Sequence, residues 1–359
     1  FYVDGNRTMM DLSQRNHIVY FIAICCCAGW LFQGCTQRVV VTEQPETSYY
    51  ASDPGSDLVR KQVNEAFRSV IKLQNTVVYR TYLFPVDRLP TQREAETGNL
   101  RELAAEMIFD DHSTSGTAIV LHNRDGKTGA LTASHIVSFP DTIWNYHRTH
   151  RRGGQRLVEG VSIKHSESHY VIDTRGVAGF TVAANDERRD LALIVHDWGD
   201  DERGPAVTTL RIRPGERGRL DWMDRIYALG YPKGFQMVTR AMVSDFSSSP
   251  RRSFVLDASF NRGFSGGPLF AVRADGTGLE WVGIISAAHA ESEYFLAPDQ
   301  SAVDDLLVDE LYEGPVVMRR ENRINYGITF AVGMDDIVSF FRENASTLRS
   351  HDMMLPTIF

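Results

Sequence analysis

Short apolar runs separated by polar turns recur through the middle of the chain. Residues 116–121 and 129–137 form two such runs, joined by a polar turn at residues 123–127, and together they predict a pair of strands. Two further short apolar runs lie at residues 191–195 and 269–272. This pattern predicts an all-β fold for the central part of the chain.

Helical patterns are confined to segments that flank or interrupt these runs. Residues 58–67 have helical spacing and lead into apolar strand-like segments up to residue 84. Residues 90–108 are charged and predict a helical insertion, and residues 304–312 predict a short acidic helix. Apolar side chains cluster on one side of residues 334–344, which predicts a terminal helix packed on the strands.

An apolar run of 15 residues at positions 18–32 marks the start of the chain. It is shorter than a membrane-spanning helix and follows two arginines, which is typical of the core of a signal peptide. The run ends in LFQGC, which resembles a bacterial lipobox and would place a lipid on Cys35. We therefore expect residues 1–35 to be a signal peptide of the lipoprotein type or, alternatively, an uncleaved anchor helix.

Composition and charge narrow the classes of function. The chain has 359 residues, 43% of them hydrophobic, which supplies a sizeable core. Its net charge of −8 argues against nucleic acid as a partner, because phosphate binding needs a basic surface. The four cysteines, at positions 25, 26, 27 and 35, all lie near the apolar run, so the folded domain has no disulfide to rely on. No metal-ligand or phosphate-binding motif is present, and no cofactor or metal is expected.

Residues 261–270, NRGFSGGPLF, carry the clearest chemical signal. A nucleophilic Ser265 needs a tight turn, and the glycines around it allow such a turn. The N–H groups of Gly263 and Ser265 could then point together at the place where a carbonyl oxygen becomes an oxyanion.

A base and an orienting carboxylate can be found upstream of this serine. His135 follows an apolar strand-like run, and Asp190 begins another. An imidazole held by a carboxylate is the partner that a nucleophilic serine requires. Asp173, Asp186 and Asp197 are alternatives for the carboxylate, and the alternatives for the base are His112, His122, His147, His150, His165 and His169.

These segments resemble the chymotrypsin-like serine proteases, and within them the Deg/HtrA branch. The resemblance rests on TASHIV around His135, DLALI from Asp190, DASFNRGFSGGPLF around Ser265, VGIIS at 282–286 and INYGITFAV at 324–332. It implies an all-β fold of two six-stranded antiparallel β-barrels with a C-terminal helix. It also implies that His135 is the general base, Asp190 the orienting carboxylate and Ser265 the nucleophile, with Gly263 and Ser265 forming the oxyanion hole.

The resemblance also has departures and further implications for single residues. Ser134 stands where the family usually has alanine, and Phe264 stands where it usually has a polar residue before the nucleophile. In the chymotrypsin fold the floor of the specificity pocket lies six residues before the nucleophile, which is Ser259 here. An uncharged floor implies cleavage after small or medium apolar side chains.

The domain organisation follows from these assignments. We expect a flexible polar linker at residues 36–58, a trypsin-like serine protease domain at residues 59–345 and a C-terminal tail at residues 346–359. That tail is too short for the PDZ domain that many Deg relatives carry. The signal peptide implies export to the periplasm or cell envelope, with a membrane anchor through the N-terminus.

The expected function is a serine endopeptidase acting on exported or misfolded proteins through an acyl-enzyme. Protein or peptide substrates are the expected partners, and the Deg branch commonly forms homo-oligomers. An alternative is a catalytically silent, protease-like module that binds peptides, favoured if Phe264 collapses the oxyanion hole. An esterase of the α/β-hydrolase type is disfavoured, because a strand follows Ser265 and His135 precedes it in the chain.

Overall fold

The computed structural model describes residues 56–173, 176–198, 207–246, 253–298 and 316–353. The predicted signal peptide with Cys35 and the predicted acidic helix at residues 304–312 lie outside the described residues. The strands are β1 (Val70–Leu83), β2 (Glu106–Arg124), β3 (Lys127–Thr132), β4 (Thr142–Arg152), β5 (Gln155–Asp173), β6 (Gly176–Gly179), β7 (Thr181–Asp186), β8 (Leu191–Asp197), β9 (Arg225–Gly230), β10 (Met237–Asp245), β11 (Phe254–Asp257), β12 (Pro268–Val272), β13 (Leu279–Pro298) and β14 (Val316–Gly333). The helices are α1 (Ser56–Phe67), α2 (Gln92–Thr97), α3 (Leu100–Leu103), α4 (Ser134–Val137), α5 (Met334–Glu343) and α6 (Ala345–Ser350).

The C-terminal half of the strands forms a closed six-stranded barrel in the order β10-β11-β14-β13-β12-β9. Its interior is filled by apolar side chains such as Ile226, Phe254 and Leu269, which are fully buried. The strands pair antiparallel around the ring, from β9 with β10 to β12 with β9. This barrel and the all-β class confirm the predicted fold.

The N-terminal half of the strands forms an eight-stranded sheet in the order β4-β5-β1-β2-β3-β8-β7, with β6 paired to β5. Among the described strands β4 and β7 do not pair, so this half is a half-barrel instead of the second closed six-stranded barrel that was predicted. Two short strands separated by one residue lie between the two ends of this sheet: β6 pairs with β5, and β7 pairs with β8. The break between them leaves the ring without one continuous closing strand.

The segment between β1 and β2 differs from the single charged helix predicted at residues 90–108. Thr91 caps α2 with a reciprocal capping box, and Asn99 caps α3. Strand β2 already begins at Glu106, because its first residues pair with the end of β1. Pairing across the sheet therefore outweighs helical propensity at Met107 and Ile108.

The two halves share a core to which the terminal helices contribute. Val59, Val63 and Ala66 lie on one side of α1, while Ile337 and Phe340 lie on one side of α5. The same core includes Leu348 and Met353, so packing continues past the predicted domain end at residue 345. None of the described helices is long and apolar enough to cross a membrane.

Candidate active site

His135 lies on the single-turn helix α4, which begins two residues after β3 ends at Thr132. The carbonyl oxygen of the next residue, Ile136, accepts hydrogen bonds from Asn75 Nδ2 at 2.9 Å and Thr114 Oγ1 at 2.8 Å. These bonds tie the helix to β1 and β2, so the backbone under His135 is fixed. The imidazole itself is 41% exposed and faces the surface.

Asp190 lies in the turn between β7 and β8, with a left-handed backbone at φ 59° that aspartate tolerates better than most residues. The preceding residue, Arg189, anchors this turn by donating to Asp186 at 2.8 Å and to Glu343 of α5 at 2.6 Å. The hydrogen bond to Glu343 raises the pKa of Arg189 above its ordinary value, so this anchor stays charged. The turn is thereby held against the C-terminal helix.

The carboxylate of Asp190 holds both the ring and the backbone of His135. His135 Nδ1 lies 2.9 Å from Oδ2 and 3.0 Å from Oδ1, and the His135 N–H donates to Oδ1 at 2.9 Å. A third donor is the buried hydroxyl of Ser286 on β13, which donates to Oδ2. Sequence reasoning did not assign Ser286 a role; the signal was a polar residue ending the apolar run VGIIS.

The charge of Asp190 is stabilised by these donors. Burial of the carboxylate acts to raise its pKa, but the hydrogen bond and charge of His135 and the hydrogen bond from Ser286 outweigh burial. The pKa of Asp190 is therefore lowered below its ordinary value. An ionised carboxylate is what holds Nδ1 of the imidazole in its protonated form and leaves Nε2 as a base.

The loop that carries Ser265 is held between β2 and β13. Thr117 N donates to Ser265 O at 2.9 Å, and Gly266 N donates to Ile285 O at 2.7 Å. Gly266 also lies against α4, since a Cβ added there would be 3.0 Å from Ala133 N. Ser265 is half-buried in this loop, at the junction of the two halves of the fold.

Two backbone N–H groups of the same loop have no acceptor among the described residues. Gly263 has φ 106°, and its carbonyl oxygen accepts from Thr117 Oγ1 at 2.6 Å. The carbonyl of Arg262 accepts from Lys233 N at 3.2 Å. Within the described part of the chain, the N–H groups of Gly263 and Ser265 donate to no protein atom. They can therefore donate to a bound group, and their role as an oxyanion hole stays a prediction.

The three predicted triad residues are brought together to different degrees. His135 and Asp190 are in direct contact, whereas neither Ser265 Oγ nor His135 Nε2 makes a hydrogen bond to any described residue. Of the alternative carboxylates, Asp186 is engaged with Arg189 and the side chain of Asp173 is not described. No group of three His, Cys, Asp or Glu side chains among the described residues is arranged to hold a metal.

The side chain of Phe264 packs in the core of the C-terminal barrel. It is 1% exposed, and its ring centroid lies 4.8 Å from that of Phe260 inside the C-terminal barrel. Gly230 makes room for it, because a Cβ there would be 2.7 Å from the Phe264 ring. The predicted pocket residue, Ser259, is exposed between buried neighbours, and its role in specificity stays a prediction.

Ser134, next to the predicted base, has a buried hydroxyl without a hydrogen-bond partner among the described residues. An unsatisfied buried hydroxyl costs about 1–3 kcal/mol, so Ser134→Ala should raise the free energy of unfolding by about 1 kcal/mol. Denaturant unfolding of the purified chain measures this change. The matched control is Ser69→Ala, which should lower it, because Ser69 Oγ is buried and donates to Ala66 O at 2.7 Å. Equal destabilisation by both substitutions would contradict the prediction.

Residues 116–284 match the family model described as a trypsin-like peptidase domain. No curated protein matches the chain. Among solved structures, the HtrA-type protease AlgW with a tripeptide is 16% identical with a TM-score of 0.39, over 82% of this chain and 65% of that one. The chain thus spans less than two thirds of the AlgW chain.

Two further solved structures have similar scores. Rv3671c from M. tuberculosis H37Rv, in an inactive form, is 14% identical with a TM-score of 0.40, over 83% of this chain and 96% of that one. The serine endoprotease from Yersinia pestis is 16% identical with a TM-score of 0.40, over 86% and 69% of the two chains.

The family match and the geometry concern the same part of the molecule. The matched segment begins within β2, beside Thr117, and ends within β13, one residue before Ile285. It contains His135, Asp190 and the loop of Ser265. The segment that is similar to a trypsin-like peptidase domain therefore contains all three predicted triad residues.

Proposed function

We propose that this chain is a serine endopeptidase, with Ser265 as nucleophile, His135 as general base and Asp190 as orienting carboxylate. The observation that carries the proposal is that Asp190 accepts hydrogen bonds from both Nδ1 and the backbone N–H of His135. Both residues lie in the segment that matches a trypsin-like peptidase domain. A carboxylate bound only to the ring would leave the backbone of His135 unrestrained, and the imidazole could shift with it. The second hydrogen bond, from the His135 N–H, holds that backbone and so fixes the position from which the side chain extends.

Acylation follows from this arrangement. With the Nδ1 proton directed at Asp190, the lone pair of Nε2 accepts the proton of Ser265 Oγ as that oxygen attacks the substrate carbonyl. The carbonyl oxygen gains negative charge and accepts hydrogen bonds from the N–H groups of Gly263 and Ser265. The imidazolium then gives its proton to the leaving amine, and the acyl-enzyme forms as the peptide bond breaks.

Deacylation repeats the sequence with water in place of the serine. His135 removes a proton from water, the resulting tetrahedral intermediate uses the same two N–H groups, and Ser265 leaves with the returned proton. Asp190 stays ionised throughout, which agrees with its lowered pKa. No cofactor enters any step.

A catalytically silent peptide-binding module is the second candidate. It is favoured by the missing hydrogen bond between Ser265 Oγ and His135 Nε2 among the described residues, although such bonds are often long before substrate binds. The expected reason for silence, collapse of the oxyanion hole by Phe264, is opposed by the burial of that ring in the C-terminal barrel. We therefore favour the active enzyme. Extended segments of exported or misfolded proteins are its proposed substrates.

Covalent labelling tests the proposal directly. After treatment of the chain with a fluorophosphonate, intact-mass analysis should show a single adduct, because the reagent needs an activated serine and an oxyanion hole together. The adduct should be absent from Ser265→Ala and present in Ser138→Ala, whose hydroxyl hydrogen-bonds Glu187 in the same half of the fold. A folded chain without an adduct would support the silent module.

A further inference from the structure

One edge of β2 is unpaired along half its length. β2 pairs with β1 from Glu106 to Ile119, and with β3 only from Ile119 to Arg124. No described strand occupies the other edge of β2 before Ile119. Residues 106–113 are exposed, whereas residues 116–122 are buried.

The hydrogen bonds at the buried end show which residues face this open edge. Val120 N donates to Ser69 O at 2.7 Å, on the β1 side, whereas Thr117 N donates away from β1 to Ser265 O at 2.9 Å. Backbone groups of alternate residues point to opposite edges of an antiparallel strand. The outward set, spaced by two residues from Thr117, therefore comprises Ser115, Ser113, Asp111, Phe109 and Met107.

This open edge is continuous with the candidate active site. Its first member, Thr117, already holds the carbonyl of Ser265. Thr114, on the same strand, donates to the carbonyl of Ile136, the residue after the predicted base. Because His135 protonates the leaving amine, the substrate segment after the scissile bond departs over this side of the site, towards Ser115.

We propose that the polypeptide following the scissile bond binds as an added strand along the open edge of β2, from Ser115 to Met107. This inference rests on the proposed protease function. Strand addition uses main-chain hydrogen bonds for affinity, so it suits extended polypeptides of varied sequence. Outward-facing residues repeat about every 6.8 Å, so the edge offers paired N–H and C=O groups over roughly 27 Å.

The side chains along the edge favour a substrate segment over a second copy of this chain. Glu106, Asp110 and Asp111 are acidic, with Asp110 paired to His112 and Arg80 lying over the ring of Phe109. Antiparallel pairing of two copies near Asp111 would bring the Asp111 carboxylates together. Met107 and Phe109 are 45% and 56% exposed and offer apolar contacts. We therefore expect the bound segments to carry apolar and basic side chains.

The test compares substrates that differ only after the scissile bond. Internally quenched peptides share an Ala-Ala-Val segment before that bond and carry a tail of alternating tyrosine and lysine, two or ten residues long, which adds no small or medium apolar residue as a second cleavage site. The wild-type chain should cleave the longer peptide with a kcat/KM about tenfold higher, through a lower KM, since each added main-chain bond contributes modestly. Equal kcat/KM for the two tails would overturn the proposal.

A matched pair of variants isolates the backbone donor. Asp111→Pro removes an outward N–H, and proline is tolerated on an edge strand where that N–H faces solvent. Asp111→Ala loses the same charge but keeps the N–H. We expect Asp111→Pro to reduce the gain from the longer tail to about threefold or less, while Asp111→Ala keeps most of it. Both variants should cleave the short peptide at the wild-type rate, and this shows that they are folded.

Failure of the inference can be told apart from failure of the proposed function. A fluorophosphonate adduct with no difference between Asp111→Pro and Asp111→Ala would refute strand addition and leave the protease intact. If no adduct forms, binding of the labelled ten-residue-tail peptide to the Ser265→Ala chain, measured by fluorescence anisotropy, tests the same edge. Weaker binding after Asp111→Pro than after Asp111→Ala supports the proposal there, and equal binding overturns it. A dimer that Asp111→Pro dissociates would also overturn it, since the edge would then be occupied by a second copy.

Discussion

Replacing Asp190 with asparagine should lower kcat by about 10⁴-fold and leave KM nearly unchanged, the size of effect known for an orienting carboxylate in a Ser-His-Asp triad. In the wild-type chain, the two oxygens of Asp190 accept hydrogen bonds from His135 and Ser286. An asparagine has one oxygen and one NH₂ group, so its NH₂ group must face at least one of these hydrogen-bond donors. Of those donors, only the imidazole and the hydroxyl can become acceptors.

The response of His135 is the damaging one. If the asparagine oxygen keeps the backbone N–H of His135, its NH₂ group faces Nδ1 and the hydroxyl of Ser286. The hydroxyl can rotate and accept, but Nδ1 can accept only by losing its proton. The proton of the neutral ring then resides on Nε2, which can no longer take the proton of Ser265.

Stopped-flow labelling and steady-state cleavage measure the loss, and Asp141→Asn is the matched control. Asp141 is an exposed carboxylate whose partner is Lys164, so its neutralisation should leave kcat within about twofold, as is usual for surface sites that do not touch the chemistry. A loss below tenfold for Asp190→Asn would mean that another carboxylate orients His135. Asp186 would be examined next, since it lies in the same turn.

The same substitution has a pH signature in stability. The folded-state pKa of Asp190 is lower than its ordinary value, so the ionised carboxylate stabilises the fold above the unfolded pKa of about 3.9. This stabilisation is lost as the pH falls through the folded pKa. The difference in free energy of unfolding between the wild-type chain and Asp190→Asn should therefore be largest near neutral pH and shrink below about pH 4.

Local pattern was sufficient for much of the fold. Asp190 could be predicted at the start of a buried strand, and β8 indeed begins at Leu191. The helix predicted at residues 334–344 is α5, because apolar spacing and packing agree there. His135 lies on a short helix and not at the strand end, since one turn of helix leaves almost no periodic signal.

Contacts between distant segments could not be predicted. Thr117 and Gly263 are 146 positions apart, and the Ser286 hydroxyl reaches Asp190 across 96 positions. Thr117 and Ser286 are single polar residues in or at the end of apolar runs, so nothing local marks their partners. The direction of Phe264 was likewise undecided, because it depends on the space that Gly230 leaves in another strand.

Replacing Gly263 with alanine should slow acylation of Ser265 by about 10²–10³-fold, the usual consequence of losing one oxyanion donor. At φ 106° an L-residue is strained, and the added Cβ would overlap the carbonyl oxygen of Tyr231 and lie 2.9 Å from Pro232 Cα. Both neighbours are backbone, so the Gly263 peptide must rotate. Rotation turns its N–H away from the oxyanion and strains the bond from Thr117 Oγ1 to Gly263 O.

Gly276→Ala is the control that separates catalysis from backbone strain. Gly276 also has a positive φ, of 70°, but a Cβ there meets nothing within 4 Å, in the turn between β12 and β13. Gly276→Ala should lower the free energy of unfolding by about 1–2 kcal/mol through backbone strain, and Gly263→Ala by at least as much. Only Gly263→Ala should slow fluorophosphonate labelling. Undiminished labelling of Gly263→Ala would show that the oxyanion is stabilised elsewhere. Slow labelling with an unchanged His135–Asp190 pair would place the loss in the loop of Ser265, because the base and its carboxylate belong to the other half of the fold.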